Sequence, residues 1–568
     1  MAPREIRRRP VPVTLPGISP LLSRLYAARG VASPEDTDLG LKHLLPPNEM
    51  KGIVEAARLV GEAIQAGKRI LILGDFDADG ATSCVLMVHG LQSLGATNVD
   101  YLVPNRFDFG YGLTPEIVDV ANERQPDLII TVDNGISSVA GVAHARNLGI
   151  QTLITDHHLA PEQLPDADAI INPNQPGCAF QSKNLAGVGV SFYLLSAVRQ
   201  YLAEQHWFLH RDLPVLADYL DLVALGTIAD VVPLDRNNRI LVNEGLRRIR
   251  AGKCRPGIKA LLHLSGQRVE VVSAQDLAFF VAPRLNAAGR LEDISLGIEC
   301  LLSLNIARAE ELAGKLDALN TERREIEHEM KQQALATLRE TKVEQSNKVG
   351  ITLYDDSWHQ GVVGIVASRI KDKLHRPVVA FARVSDTELK GSARSISGLH
   401  IRDAFAAIAS KHPGMLVKFG GHAMAAGLSL NINDLAKFTL AFDEEAKRWL
   451  KDDDLTAAVV TDGELDQPLT VQLGRELGLA CPWGQGFPEP VFDGEFEIIS
   501  QRIVAGRHLK MRLRPVDGET LIDAIAFGQD CTVEGRMRRI AYRVGVNEYR
   551  GIESAQLVVE CLDVSAVS

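Results

Sequence analysis

A chain of 568 residues is too long for one ordinary hydrophobic core, so about three domains are expected. Its 46% hydrophobic and 23% charged residues are those of a globular protein, and no apolar run reaches bilayer-spanning length, which argues against a membrane protein. A net charge of −11 excludes a wholly basic nucleic-acid binder but leaves room for local basic patches. The 7 cysteines are scattered, odd in number and without a Cys-x-x-Cys pair, which points to a reducing cytoplasm and away from structural zinc. The opening carries Arg4, Arg7, Arg8 and Arg9 with no apolar run behind them, so no secretion signal is read there, and residues 1–45 are taken as an N-terminal segment.

The first patterned element is a helix on which Ile53, Ala57, Val60 and Ile64 keep helical spacing. Strand-like runs then alternate with helices. The runs 69–73, 128–132 and 152–155 are short and rich in β-branched residues, while 81–94 and 138–148 read as helices, so a parallel sheet is predicted. Each run ends in an acidic motif: Asp75-Phe-Asp77-Ala-Asp79-Gly80, Asp133-Asn134-Gly135 and Asp156-His157-His158. Ligands of such sheets bind outside the carboxyl ends of the strands, so these motifs converge on one crevice. On an extended segment Asp75, Asp77 and Asp79 would share a face. Asp230, in an otherwise apolar run, is a further candidate because an unpaired buried charge is costly. So many oxygens with an imidazole suit two divalent cations, Mn²⁺ or Mg²⁺, and such a pair can clamp a phosphoryl group.

A helical continuation reaches about residue 304, completing a domain over 46–305. The charged stretch 306–345, with Leu312, Leu316, Leu319, Ile326, Met330, Ala334 and Leu338 on one face, reads as one long connecting helix. A smaller α/β pattern occupies 346–455. The tail, 456–568, combines a Pro/Gly-rich segment at 481–490 with short alternating strands such as 501–513 and 557–562, which suggests a small β-barrel. Two basic clusters stand out. One holds Arg247, Arg248, Arg250, Lys253 and Arg255, the other Arg502, Arg507, His508, Lys510, Arg512 and Arg514; a solvated face accounts for either.

Taken in order, Asp-x-Asp-Ala-Asp-Gly, Asp-Asn-Gly, Asp-His-His and Ala-Asp230-Val-Val-Pro-Leu resemble the DHH phosphoesterase superfamily, and within it most nearly the bacterial exonucleases specific for single strands. Phe109-Gly-Tyr111-Gly-Leu113, Ala282-Pro-Arg284-Leu-Asn286-Ala-Ala-Gly-Arg290, Gly391-Ser392-Ala-Arg394, Phe419-Gly420-Gly421-His422 and Asn547-Glu-Tyr-Arg-Gly551 extend the resemblance over the chain. It implies an N-terminal DHH domain, a DHHA1 domain after the long helix, and an oligonucleotide-binding barrel. It implies also that Asp75, Asp77, Asp79, Asp133, His157 and Asp230 ligate two metal ions with Asp133 as bridge, that His158 faces the scissile phosphate, and that Asp156 orients the loop.

Ser392 and Arg394 resemble a pocket for a 5′ phosphate, joined by Arg284 or Arg290. Gly420, Gly421 and Gly427 either bring backbone N–H groups close to phosphate, with His422 as donor, or form a tight turn feeding an Ala-rich helix. Phe109 and Tyr111 are candidates for base stacking, Asn286 for a helix cap or a substrate contact, and Trp358 and His359 for a cleft wall. Arg507, Lys510 and Arg512 would hold the strand on the barrel. The implied activity is 5′→3′ hydrolysis of single-stranded DNA to 5′-mononucleotides in recombination and repair, with a single-strand-binding protein and a helicase as partners. Two other readings fit the metal motifs: a phosphodiesterase for short oligonucleotides or cyclic dinucleotides, and a non-catalytic DNA-binding scaffold.

Overall fold

The structure, a computed structural model, describes residues 4–104, 112–340, 347–516, 518–535, 537–549, 551–562 and 564–565. Tyr111 and Phe109 lie outside them. The chain divides into two compact units, one of residues 11–320 and 475–489, the other of residues 1–10, 321–474 and 490–568.

The first unit is built on five parallel strands in the order Val99–Leu102, Ile70–Leu73, Leu128–Val132, Gln151–Thr155, Ala169–Ile171. Alternate residues feed two apolar layers. Ile70, Ile72, Leu128, Ile130 and Leu153 join the large core with the helices Ile53–Gln65, Ala78–Ser93 and Gly187–Glu204, whereas Leu71, Leu73, Ile129 and Ile154 pack with Ile117, Val118, Val142 and Ala145 on the opposite face. Burial on both faces is why the central strands read as unbroken apolar runs. The strand order reverses between Ile70–Leu73 and Leu128–Val132, and the crevice of a doubly wound sheet opens at such a point.

The second unit contains a five-stranded sheet, Leu416–Gly421, Ala425–Asn431, Glu388–Arg394, Val378–Arg383, Ile351–Tyr354, in which only the last pair is parallel. Its core is Phe381, Leu389, Ala393 and Leu430 against Phe405, Phe438 and Phe442. A closed five-stranded barrel follows, formed by Phe492–Val504, His508–Pro515, Ile522–Ala526, Ile552–Leu562 and Met537–Tyr549. A helix spans Ile306–Glu340, as its apolar stripe predicts.

Four expectations are corrected. The segment 501–513 is not one strand but parts of two, turned at Ala505 and Gly506 with φ of 50° and 66°. Two barrel strands run to 13 residues rather than being short. The segment 475–489 belongs to the first unit, not to the tail, because Trp483 and Phe487 stack at 5.5 Å inside its core. Residues 1–45 are not one segment. Arg4–Arg8 is a strand parallel to Ala458–Thr461 in the second unit, while the helix Pro20–Ala27 packs in the first.

The charges of the opening residues explain that strand. Arg8 Nη2 lies 2.7 Å from Asp493 Oδ1, Arg539 Nη2 donates to the same carboxylate, Thr461 Oγ1 donates to Oδ2 at 2.6 Å, and Arg9 pairs with Asp462 at 3.2 Å. Burial alone would raise the Asp493 pKa, but Arg8, Thr461 and Arg539 outweigh it and hold the carboxyl below its ordinary value. A depressed carboxylate contributes stability that is present above the unfolded pKa of about 3.9 and is lost as pH falls through the folded value. Asp493→Asn is therefore expected to speed hydrogen exchange of the Arg4–Arg8 and Ala458–Thr461 amides by about a hundred-fold at pH 7, of order 3 kcal/mol for a broken buried pair. The gap from the unmodified protein should narrow as pH falls below about 3.9, toward the lower folded value; a gap that does not narrow on acidification contradicts the assignment.

Candidate metal centre

At the carboxyl ends of the central strands the chain turns sharply, and side chains cap the turns. Asp77 is the N-cap of Ala78–Ser93, its Oδ1 accepting from Asp79 N at 2.9 Å and Gly80 N at 3.1 Å. Asp79 already sits in that helix, so the expected extended face of Asp75, Asp77 and Asp79 does not form; a cap and a helical turn aim the three carboxylates instead. Asp79 is buried and accepts from Gly187 N at 2.6 Å and Val188 N at 2.9 Å, at the N-terminus of Gly187–Glu204. Asp133 adopts φ of 62°, and the next residue, Asn134, donates to Leu73 O and Val132 O, tying the ends of two adjacent strands. Asp230 is the C-cap of the apolar helix Leu220–Ala229, where a carboxylate opposes the helix dipole.

These turns gather the predicted ligands. His157 Nε2 is 3.0 Å from Asp133 Oδ1 and 3.5 Å from Asp230 Oδ2. Three sets have ligand atoms within 4.8 Å of one another: Asp75, Asp77 and Asp133; Asp79, His157 and Asp230; Asp133, His157 and His158. Burial first, and then the neighbouring carboxylates, push Asp133 and Asp230 well above the ordinary carboxylate range. Burial and Asp77 likewise raise Asp79 to about 7, against its two backbone donors. A site that cannot keep its carboxylates ionised alone, and offers mostly oxygen with one or two imidazoles, fits Mg²⁺ or Mn²⁺.

Asp156 is buried and accepts from Ile136 N, His157 N, His158 N and, at 2.7 Å, His158 Nδ1. Burial disfavours the His158 cation, but Asp156, Asp75 and Asp77 outweigh it and raise its pKa to about 8. Four residues that the sequence reading passed over hold this frame. Asn172 donates to His158 O at 2.9 Å and Asn174 to His157 O at 2.6 Å; their signal was Asn-Pro-Asn directly after a strand. Gly187 and Gly289 allow close approach: a Cβ would lie 2.6 Å from Asp133 Cβ in one case and 1.8 Å from Phe76 O in the other. Asn286 Oδ1 accepts from Ala78 N at 2.9 Å, a helix cap supplied from a distant segment.

The remaining candidates divide by unit. Arg284 is buried and paired with Asp317 at 2.7 Å, with its Nη1 on Phe280 O, so its charge is already used; Arg290 is half-buried in the last turn of Ala282–Leu291. In the cluster Arg247 to Arg255, Arg247 pairs with Glu244, Arg248 with Asp218 and Arg255 with Asp221, which makes it a structural face.

In the second unit Gly420, Gly427 and Ser392 align across three strands, and Arg394 pairs in register with Ala425 beside His422. The segment 420–427 is thus a hairpin and feeds no helix. Ser392 and Arg394 point away from the Leu389 and Ala393 core side, and a Cβ on Gly364 would meet Ser392 Oγ at 2.8 Å and Arg394 Nη2 at 3.0 Å. Arg394 donates to Ser392 Oγ and Ala393 O and has no carboxylate partner among the described residues; its burial lowers its pKa. Trp358 is buried with its Nε1 on Gln333 at 2.8 Å, and His359 accepts from Gly361 N, both local structural contacts. On the barrel Lys510 and Arg512 face outward near Asp523, at 3.5 and 3.8 Å, and Arg507 is exposed in the adjoining turn. Phe527, exposed and edge-on to His508 at 5.2 Å, adds an aromatic surface that the sequence reading missed.

The fold and this site define a protein of the DHH class. Residues 69–227 match the model of the DHH family N-terminal domain, 346–448 the DHHA1 domain and 461–561 the RecJ OB domain. The single-stranded-DNA-specific exonuclease RecJ of Escherichia coli K12 is 52% identical over 98% of this chain and 98% of its own length. The crystal structure of RecJ from Thermus thermophilus in complex with Mn²⁺ superimposes with a TM-score of 0.81 at 31% identity, covering 99% of this chain and 80% of that one. The same protein with Mg²⁺ gives 0.75 at 30% identity, covering 99% and 79%. The chain belongs to the RecJ family of single-stranded-DNA-specific exonucleases.

Two outcomes test the cluster. Asparagine tolerates the left-handed backbone of Asp133 and removes its charge, so Asp133→Asn should melt higher than the unmodified protein in chelator yet lose the rise given by Mn²⁺, about 2.7 kcal/mol at a hundred times Kd. Gly187→Ala, which crowds Asp133 without touching its chemistry, should weaken Mn²⁺ binding about 10- to 100-fold in titration calorimetry.

Proposed function

We propose that this protein hydrolyses single-stranded DNA from the 5′ end, releasing 5′-mononucleotides, with two divalent ions, Mn²⁺ or Mg²⁺, held by the carboxylate and histidine cluster. The observation that carries this reading is the convergence of Asp75, Asp77, Asp79, Asp133, His157 and Asp230 in overlapping donor sets at the switch point of the sheet. Asp133 and His157 each belong to two of those sets, and of these the carboxylate, with two oxygens, is the one that would be shared between two metal ions, which when bound would polarise the phosphoryl group and lower the pKa of a water. His158, whose Nδ1 is engaged by Asp156, donates from Nε2 to an oxygen of the scissile phosphate. Asp156 is a positioning residue that holds the His158 ring and orients the loop.

Polarity of attack follows from Ser392 and Arg394 as the seat of a terminal 5′ phosphate, with Gly420, Gly421 and His422 on the neighbouring hairpin. A half-buried guanidinium with no carboxylate partner among the described residues supports this assignment. Arg507, Lys510 and Arg512 hold the strand through phosphate contacts, and Phe527 offers a ring for stacking. The work of such an enzyme is recombination and repair in the cytoplasm, in company with a single-strand-binding protein and a helicase.

With 5′-labelled strands, long substrates should be degraded to mononucleotides in Mn²⁺, and Asp133→Ala should abolish this while leaving DNA binding. A preference for dinucleotides would favour the short-oligonucleotide phosphodiesterase, and metal-independent binding without degradation the scaffold. Arg394→Gln should raise KM for a 5′-phosphorylated strand about ten-fold or more and leave a 5′-hydroxyl strand unchanged.

A further inference from the structure

Beside the loop that follows Asp230, the first unit contains a cavity of about 420 Å³ whose walls include Arg29, Arg236 and Arg239 with Leu234 and Phe487. Two carboxylates also line it, and both are engaged. Asp36 lies 3.3 Å from Arg236 Nη1, while Asp235 caps Arg236–Arg250 and accepts from Ser182 Oγ at 2.7 Å and Asn238 N at 3.0 Å. Arg29 lies over the Trp483 ring at 5.2 Å and donates Nε to Pro488 O at 2.6 Å.

Arg239 is different. It is only 6% exposed, with its guanidinium 4.1 Å over Phe487 and against the Cys481 thiol, and it has no carboxylate partner among the described residues. The Nε–H groups of Arg239 and Arg236 are both buried without a hydrogen-bond acceptor among those residues. A cation taken from water with neither an anion nor a full set of acceptors is costly, and a planar guanidinium is suited to a phosphate oxygen pair. Among the lining residues three guanidinium groups stand against two carboxylates, both engaged, and Arg239 is the one buried without either. The volume of the cavity lies in the range of small-ligand sites, and Leu234 and Phe487 give it an apolar wall.

We propose that this cavity is a second phosphate site, apart from the metal cluster and from Arg394, and that it takes a phosphate-bearing nucleotide: a free mononucleotide or a nucleotide unit of the bound strand. The choice of nucleotide rests on the exonuclease reading above; the anion site itself rests on the arginines. Leu234, whose N–H donates to Gln485 O at 2.7 Å, follows Asp230 by four residues, so the occupied cavity braces the segment that carries a predicted metal ligand.

The test is equilibrium dialysis of the full-length chain with labelled dAMP, and separately with inorganic phosphate, in EDTA so that the metal cluster takes no part. Saturable dAMP binding that falls about ten-fold or more in Arg239→Gln and in Arg236→Gln, yet survives Arg394→Gln, supports the site. Arg236→Gln is the check should the buried Arg239 variant melt early in circular dichroism, because Arg236 is half-exposed. Displacement of dAMP from the Arg394→Gln protein by oligothymidylate identifies the strand as the natural occupant, and retention identifies the free nucleotide. Absence of saturable binding of either probe, or binding that both cavity variants leave intact, overturns the proposal. Nuclease activity is assayed separately in Mn²⁺: an active enzyme with an empty cavity sinks only the second site, whereas a protein that binds dAMP through Arg239 but degrades nothing sinks only the exonuclease reading.

Discussion

Everything in the first unit is arranged around a concentration of negative charge that the protein cannot stabilise alone. Asp79, Asp133 and Asp230 are raised by burial and by their neighbours, and His157 stands between two of them. Apolar strands packed on both faces make the sheet rigid enough to hold these groups together, and the reversal of strand order makes the crevice. The local devices serve the same end: a left-handed aspartate, a helix N-terminus turned on Asp79, and an aspartate placed at the unfavourable end of a helix. Such an arrangement costs stability without ions and favours binding them, a common exchange at catalytic sites.

The second unit handles charge in two ways. Asp493 is surrounded by donors from Arg8, Arg539 and Thr461, and its charge is spent on joining a strand from the start of the chain to one near the end of its sheet. Among the described residues Arg394 donates to a hydroxyl and a carbonyl. Asp493 is buried and Arg394 half-buried, and they differ in whether an opposite charge faces them among the described residues. The same contrast distinguishes Arg284, satisfied by Asp317, from Arg239 in the cavity of the first unit.

Motif and pattern carried much of the architecture, because alternating apolar runs, acidic strand ends and a proline-free amphipathic stretch are local signals. The parallel strands, the long helix and the members of the metal cluster were legible for that reason. The turn at Ala505 and Gly506 was not, since alternation continues across it, and neither was the fate of residues 475–489. Their Pro/Gly-rich composition reads as part of the barrel tail, whereas Trp483 and Phe487 make them part of a distant core. The ion pairs of Arg284, Arg248 and Arg255 were not legible, because Asp317, Asp218 and Asp221 lie some thirty residues away in sequence.

The sequence by itself determined the chemistry available: which carboxylates and imidazoles exist, that each follows a strand, and that their order resembles one family. It determined these because residue type and period are properties of the chain. Only the tertiary structure decided how each side chain is used. Asp77 caps a helix while Asp79 faces another helix's N-terminus, Asn286 and Gly289 receive the turn at 75–79 from some two hundred residues away, and one arginine is neutralised while another is left with its charge. Pairing, burial and close approach depend on what is near in space, and a linear chain states that only where neighbours in space are also neighbours in sequence.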